Sequence, residues 1–141
     1  MKPMFEIHFA VLRRHMVELI EMHMDLMSDE LGKSTLDERV AAALMAVPRH
    51  LFVPPQLIAL AYHDTPLPIG FNKTISQPLI AALMIDLLAP QPGESVLEVG
   101  TGSATRLPFW RSLPDGCGAL RLWRSSPQRR SLAFGNLVSR T

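Results

Sequence analysis

Residues 95–103 read SVLEVGTGS, a short apolar segment followed by a glycine-rich turn. The near-continuous apolar character of SVLEV is typical of a strand buried on both faces of a parallel sheet. Glycines 100 and 102 let the backbone turn tightly and approach a ligand, as in nucleotide-cofactor sites. The general fingerprint also needs a third glycine, an immediate helix and an acid about 20 positions on. This stretch therefore predicts an α/β fold and, taken alone, gives only weak support for a cofactor site.

Helical patterns precede the strand. Apolar residues recur at helical spacing over residues 5–31 and predict an amphipathic helix that ends near Gly32. The segment STLDERVAAALMAVP predicts a second helix, with Thr35 and Glu38 in capping-box register and its end at Pro48. These helices would pack against the strand.

A proline-rich stretch follows over residues 48–76. Its five prolines predict an ordered loop or extended chain, apart from a short helix at QLIALAY. Such a long loop inside a compact domain indicates function. Ser76 is expected to cap a third helix, QPLIAALMIDLLA, in which the first turn tolerates Pro78. The PQPGE segment then ends that helix.

The composition changes abruptly after Ser103. Residues 1–103 carry seven basic and twelve acidic residues, a net charge of −5. Residues 104–141 carry seven arginines and one acid, a net charge of +6, and they contain no Lys, Glu or Ile. Prolines and glycines interrupt this tail, including its GALRL segment at 118–122, so we expect it to be irregular and disordered. The sequence thus divides into residues 1–103 and residues 104–141.

Two motifs are more specific than the glycine turn: VPRHLFVP at residues 47–54 and TISQP at residues 74–78. With VLEVGTGS, they make about residues 12–103 similar to the protein-L-isoaspartate O-methyltransferase family. The resemblance implies a Rossmann-like methyltransferase fold, of which this chain holds the N-terminal helices and the first sheet strand. It also implies methyl transfer from S-adenosylmethionine to the α-carboxylate of L-isoaspartyl residues in damaged proteins. The ester then collapses to a succinimide, which starts repair.

The resemblance assigns site residues by motif. Thr74, Ile75 and Ser76 would line the methyl-transfer and substrate site, with the Ser76 hydroxyl near the acceptor carboxylate and acting as the catalytic group. Five residues match the cofactor loop: Glu98, Gly100, Thr101, Gly102 and Ser103. A carboxylate is already a nucleophile and a sulfonium is already activated, so the protein mainly orients the reactants and excludes water. Helix capping alone is an equal alternative for Ser76, and both roles are compatible.

The family continues after Ser103 with Gly-Tyr, a helix, a second strand and an acid for the ribose, and this chain departs from that pattern. We hypothesise that the tail is the same gene read out of frame after a one-base loss. Residues 104–113 can be written GCT ACC AGG CTG CCG TTC TGG CGG AGC TTG, and one added G gives GYQAAVLAEL. Residues 116–121, written GGG TGT GGA GCG TTG AGG, give VWSVE in the same restored frame. Trp110 permits only one codon, which limits the freedom of this reconstruction.

A truncated chain would be inactive or nearly so. The central strand SVLEV would have both edges unpaired and both faces poorly covered, and loss of the ribose acid would weaken cofactor affinity. A non-enzymatic helical interaction module is the alternative, with its basic tail binding nucleic acid or another acidic partner. For Arg129 and Arg130 a solvated tail is the preferred interpretation, because no interleaved aromatics accompany them. Another S-adenosylmethionine-dependent methyltransferase would leave VPRHLFVP and TISQP unexplained.

Composition also predicts the cellular compartment of the protein and the partners that it lacks. A single cysteine cannot form an internal disulfide, so we expect a cytoplasmic protein. No uncharged stretch approaches about 18 apolar residues, and Glu6 and His8 are atypical of a signal peptide, so we expect no membrane partner. The five histidines lack metal-ligand spacing, and no metal is expected. If folded, the chain is expected to be a monomer.

Overall fold

A computed structural model describes residues 2–91, 94–99 and 118–122. Two helices come first, followed by a third helix, two short 3-10 turns, a hairpin, a fourth helix and a parallel strand pair. The helices are α1 (Lys2–Leu26), α2 (Ser28–Leu31), α3 (Glu38–Ala46) and α4 (Pro78–Leu88), and the 3-10 turns are Arg49–Phe52 and Pro55–Leu60. The strands are β1 (Leu67–Gly70), β2 (Lys73–Ile75), β3 (Ser95–Val99) and β4 (Gly118–Leu122).

The predicted first helix is confirmed, with one interruption. The chain forms a turn at Met27, which separates α1 from α2. Gly32 ends α2 in the left-handed conformation, at a φ of 69°, and its N–H donates to the carbonyl of Ser28. A residue without Cβ adopts this conformation at little cost, so the predicted stop at Gly32 has a local cause.

The second helix is confirmed, but its predicted cap at Thr35 is wrong. Asp37 is the N-cap of α3, and its Oδ1 accepts a hydrogen bond of 2.8 Å from the backbone N–H of Arg39. The Arg39 side chain returns to the same carboxylate with Nε at 3.1 Å from Oδ1, and these hydrogen bonds lower the pKa of Asp37. A carboxylate suits the positive end of a helix better than a hydroxyl does. The helix ends at Ala46, close to the predicted stop at Pro48.

The proline-rich stretch contains more regular structure than predicted. The short helix expected at QLIALAY is the 3-10 turn Pro55–Leu60. Strands β1 and β2 form an antiparallel hairpin that the sequence analysis did not predict. Its turn has positive φ values at Gly70, Phe71 and Asn72, of 92°, 52° and 55°. Phe71 is 97% exposed, so an aromatic side chain in a left-handed conformation lies at the tip of the hairpin.

Helix α4 matches the third predicted helix, but Ser76 is not its cap. The N-cap is Gln77, Pro78 opens the first turn as predicted, and the Gln77 side chain makes no capping bond. The backbone N–H of Leu79, in the first turn of the helix, instead donates to Oδ1 of Asp64 at 2.9 Å. The helix is capped by a carboxylate fifteen residues earlier in the chain, which local sequence patterns do not reveal.

The core lies between α1, α3 and α4. Three of its largest fully buried side chains are Ile20 and Met24 from α1 and Ile85 from α4. Helix α4 also carries Asp86, whose side chain is fully buried and lies 2.7 Å from Nζ of Lys33. None of the helices within residues 2–91 has the length and apolar character needed to cross a bilayer.

The strand pair confirms one prediction and corrects another. SVLEV forms β3, as expected, and pairs in parallel with β4, from Ser95 opposite Gly118 to Val99 opposite Leu122. The expectation of an irregular tail is therefore wrong for residues 118–122, which form a strand paired with β3. One edge of β3 is paired, against the prediction that both are open. The other tail residues, and the domain boundary at residue 103, lie outside the described residues.

Candidate functional site

The TISQP motif joins the hairpin to α4 and has alternating exposure. Lys73 and Thr74 of β2 are exposed, whereas the side chain of Ile75 is buried in the core with 4% exposure. Ser76 follows and is half-buried. Because successive strand residues point to opposite faces, burial of Ile75 leaves Thr74 facing outward. The segment Thr74–Ser76 thus has a buried anchor between an exposed threonine and a half-buried serine.

Arg49 of the VPRHLFVP motif binds the backbone of this segment. Its Nη2 donates to the carbonyl oxygen of Ser76 at 2.7 Å, and its Nε donates to the carbonyl oxygen of Ala61 at 2.7 Å. The residue is only 6% exposed, and burial lowers the pKa of its guanidinium to about 10. Arg49 was not among the residues predicted from the sequence. The feature that could have pointed to it is that Arg49 is the only arginine or lysine in the largely apolar VPRHLFVP motif.

The neighbouring residue, His50, contacts the residue that follows Ala61, which is Tyr62. Its Nδ1 lies 2.7 Å from the Tyr62 hydroxyl, and its ring stacks on Phe9 with the centroids 3.9 Å apart. Burial lowers the pKa of His50, so the neutral ring is favoured in this environment. The consecutive pair Arg49–His50 is therefore bonded to the consecutive pair Ala61–Tyr62, which fixes the two loop segments against each other.

Asp64 fixes the other end of the segment. Its Oδ1 accepts from the Leu79 backbone, and its Oδ2 accepts from Nε2 of Gln77 at 2.9 Å. His23 approaches the same carboxylate, with Nδ1 3.8 Å from Oδ2. Since Asp64 supplies the cap of α4, the Ser76 hydroxyl is not used for capping, and the capping alternative raised for Ser76 is wrong. Sequence reasoning missed Asp64 as well.

Of the predicted cofactor residues, only Glu98 lies within the described residues. Glu98 belongs to β3, opposite Arg121 in the strand register, and residues 100–103 lie outside the described residues. Those four residues directly follow the carboxyl end of a parallel strand. Doubly wound sheets bind ligands at the carboxyl ends of their strands, so the strand direction fits a cofactor loop there.

A cavity of about 360 Å³ lies at the opposite end of β3. It is lined by Leu88, Pro90, Glu94, Ser95, Val96 and Leu97. These residues surround the amino end of the strand, where doubly wound sheets do not bind their cofactors. We therefore do not assign this cavity to the site.

Comparison with known proteins identifies the chain. A family model described as Protein-L-isoaspartate(D-aspartate) O-methyltransferase matches residues 21–107. That range is more than half of the chain and contains VPRHLFVP, TISQP and VLEVGTGS. The chain belongs to this family. The resemblance stated from the motifs is confirmed, and so is the α/β methyltransferase class of the fold.

Individual isoaspartate methyltransferases match at high identity. Protein-L-isoaspartate O-methyltransferase 1 of Polaromonas sp. is 52% identical over 99 residues, which cover 70% of this chain and 42% of that protein. The enzyme of Methanoregula boonei is 58% identical over 72 residues, 51% of this chain and 33% of its own. The enzyme of Aeropyrum pernix is 53% identical over 113 residues, 79% of this chain and 44% of its own. The chain thus spans less than half the length of these curated relatives.

Proposed function

We propose that this chain carries the acceptor side of an S-adenosylmethionine-dependent methyltransferase acting on L-isoaspartyl residues. The observation that carries the proposal is the Thr74–Ser76 segment. Its backbone is held by Arg49, its Ile75 side chain is anchored in the core, and its Ser76 hydroxyl is left uncommitted by the Asp64 cap. An uncommitted hydroxyl on a fixed backbone segment suits the orientation of a carboxylate.

The roles of the residues follow from this arrangement. Ser76 would donate a hydrogen bond to the acceptor α-carboxylate, with Thr74 and Ile75 beside it, and damaged proteins or peptides would be the partners. S-adenosylmethionine, when bound, would supply an activated methyl group; the residues proposed to hold it are Glu98, Gly100, Thr101, Gly102 and Ser103. The carboxylate needs no general base, so this chain's residues orient it and exclude water.

We further propose that the reading frame changes after Ser103 and that the chain in its present form is nearly inactive. The family match supports this proposal because it ends at residue 107, close to the point where the net charge per segment changes sign. The ribose acid expected about 20 residues after the glycine turn would then be absent, and cofactor affinity would fall. The single cysteine supports a cytoplasmic location.

Two measurements test these proposals separately. The gene is sequenced across the codons for residues 102–110 and beyond the codon for residue 141, and methyl transfer to an isoaspartyl peptide is measured with the matching aspartyl peptide as control. We expect no transfer by the present chain, and transfer by the product of a gene with one base restored. A Ser76→Ala variant of that product should lose about tenfold or more in kcat/KM.

The outcomes distinguish the two proposals. A gene without the restored frame, together with methyl transfer by the present chain, would overturn the frame proposal and leave the activity standing. A restored protein that binds S-adenosylmethionine yet leaves the isoaspartyl peptide unmodified would overturn the activity. Salt-dependent binding of nucleic acid by the purified chain would instead favour the interaction module.

A further inference from the structure

The two most specific motifs of the sequence meet at one side chain. VPRHLFVP supplies Arg49, and TISQP supplies the Ser76 carbonyl oxygen to which Nη2 of Arg49 donates at 2.7 Å. The second hydrogen bond, from Nε to Ala61, ties the same guanidinium to the end of the 3-10 turn Pro55–Leu60. These motifs lie 27 residues apart, and Arg49 is a direct physical link between them.

Stability does not explain why a cation occupies this position. Arg49 is 6% exposed, and among the described residues no carboxylate forms an ion pair with it. Asp64 acts on its charge only from beyond hydrogen-bond distance. Removing a guanidinium from water costs free energy that two neutral carbonyl groups repay incompletely. An apolar side chain of similar length would avoid that cost but would leave the Ala61 and Ser76 carbonyls without this donor, so the position of the cation is tied to these two hydrogen bonds.

We propose that Arg49 is the positioning residue of the acceptor site and, through its hydrogen bond to the Ser76 carbonyl, fixes the backbone that carries the Ser76 hydroxyl. This role rests on the proposed function, because that function makes residues 74–76 a site. Arg49 touches neither substrate nor cofactor in this assignment. It acts from the buried side of the segment, whereas Thr74 is exposed and Ser76 is half-buried.

The geometry explains why arginine rather than lysine occupies the position. The two acceptors are bonded by different nitrogens of one rigid, planar group, so the distance between the Ser76 and Ala61 carbonyls is fixed by the guanidinium itself. An ammonium group is a compact point charge on a flexible stem and does not impose that spacing. Asp64 completes the arrangement, because it holds Gln77 and Leu79 on the other side of Ser76.

The test uses the chain as it exists and needs no catalysis. Arg49→Met, Arg49→Lys and a control, Arg13→Met, are compared. Arg13 donates to the backbone carbonyl of Met45 at 2.8 Å and to the Tyr62 hydroxyl at 3.3 Å, but it forms no hydrogen bond with residues 73–79. Two quantities are measured: amide hydrogen exchange over residues 73–79 and over α3, and the ¹³C chemical shift of the Ser76 carbonyl. The carbonyl shift reports the hydrogen bond directly, and a general loss of stability does not move it selectively.

We expect Arg49→Met to accelerate exchange over residues 73–79 by about tenfold or more, with α3 changed by less than about twofold. The Ser76 carbonyl resonance should move upfield, Arg49→Lys should restore the local protection only in part, and Arg13→Met should leave residues 73–79 unchanged. Equal acceleration in both regions, no acceleration, or full restoration by lysine would overturn the proposal. If Arg49→Met does not fold, the lysine variant and the carbonyl shift decide the question alone.

Because methyl transfer is not measured, this result is independent of the proposed function. If the exchange and carbonyl-shift results are as expected but the restored enzyme is inactive, Arg49 still orders TISQP and only the proposed function fails. If the restored enzyme is active but Arg49→Met leaves exchange over residues 73–79 unchanged, the proposed function stands and only the role of Arg49 fails. The two failures are therefore distinguishable.

Discussion

Replacing Asp86 with alanine is expected to destabilise the helical core because this carboxylate joins three segments. Its side chain, on α4, is fully buried. Oδ1 accepts a hydrogen bond of 2.8 Å from the backbone N–H of Asp37, the residue that caps α3, and Oδ2 lies 2.7 Å from Nζ of Lys33. Removing the carboxylate affects both contacts at once.

The expected loss of unfolding free energy follows from the contacts that the Asp37 N–H and the Lys33 ammonium lose. The Asp37 N–H would remain part-buried without its acceptor, which costs roughly 1–3 kcal/mol. The ion pair adds at most about 1 kcal/mol, because the Lys33 side chain is 37% exposed and its ammonium can return to water. We therefore expect Asp86→Ala to lower the free energy of unfolding by about 2–4 kcal/mol. Lys33→Met should cost about as much or more, roughly 3–5 kcal/mol, since it leaves a buried carboxylate without its cation.

Urea unfolding followed by circular dichroism measures these values. Asp25→Ala is the matched control, because Asp25 is exposed near the end of α1 and its loss should change the free energy by less than about 0.5 kcal/mol. The Asp86→Ala, Lys33→Met double variant should cost less than the sum of the two single changes. An Asp86→Ala variant as stable as the control, or strictly additive costs, would refute the reasoning about the buried pair.

Three further predictions concern individual positions. Asp37→Ala should lose about 1 kcal/mol of unfolding free energy, whereas Thr35→Ala should lose less than half of that, if Asp37 rather than Thr35 caps α3. Burial lowers the pKa of His50 in the folded chain, so the unfolded chain binds the proton more readily; the urea midpoint should fall as the pH drops below about 6.5, and less so in His50→Gln. Phe71→Asn should raise the melting temperature, because it relieves roughly 1 kcal/mol of left-handed strain at an exposed position, and an unchanged or lower value would argue against strain there.

Sequence reasoning succeeded where the signal is local. The period of α1 and α4 and the stop at Gly32 follow from properties of neighbouring residues, and the structure has these elements close to their predicted bounds. The cap of α3 was misplaced because Thr35 and Asp37 both carry suitable oxygens, and the choice between them depends on where the helix begins. That start is set partly by Asp86, which binds the Asp37 N–H from another helix.

The site itself depends on contacts that no local pattern contains. Arg49 and Ser76 are 27 residues apart, and Asp64 and Leu79 are 15 apart. The motif resemblance proposed Ser76 of TISQP as a site residue but gave no reason for its geometry. Ser76 looked like a helix cap because a serine precedes Gln-Pro, and only the folded chain shows that Asp64 has taken that role.

The strand pair bears on the frame proposal in two opposing ways. An ordered β4 counts against an unstructured tail, yet the codons that give residues 116–121 in the present frame give VWSVE in the restored one. A strand at this place is therefore compatible with either frame and does not separate them. A parallel pair of five-residue strands is too small to cover α4 by itself, since such sheets are normally buried on both faces.

Exposed apolar residues on α4 and β3 support the proposed frame change. Ile80, Leu87 and Leu88 of α4 are 44%, 62% and 54% exposed, and Leu97 of β3 is 58% exposed while Val96 beside it is 9% exposed. Monomeric proteins rarely leave a contiguous apolar surface uncovered, and in α/β folds such helix faces pack against the sheet. The relatives have more than half of their length outside the matched region, which is enough chain to supply that sheet. Restoring one base should thus cover the same residues that the present chain exposes, and nuclear Overhauser contacts from the methyl groups of Leu87 and Leu97 to residues encoded after position 103 in the restored protein would show that it does.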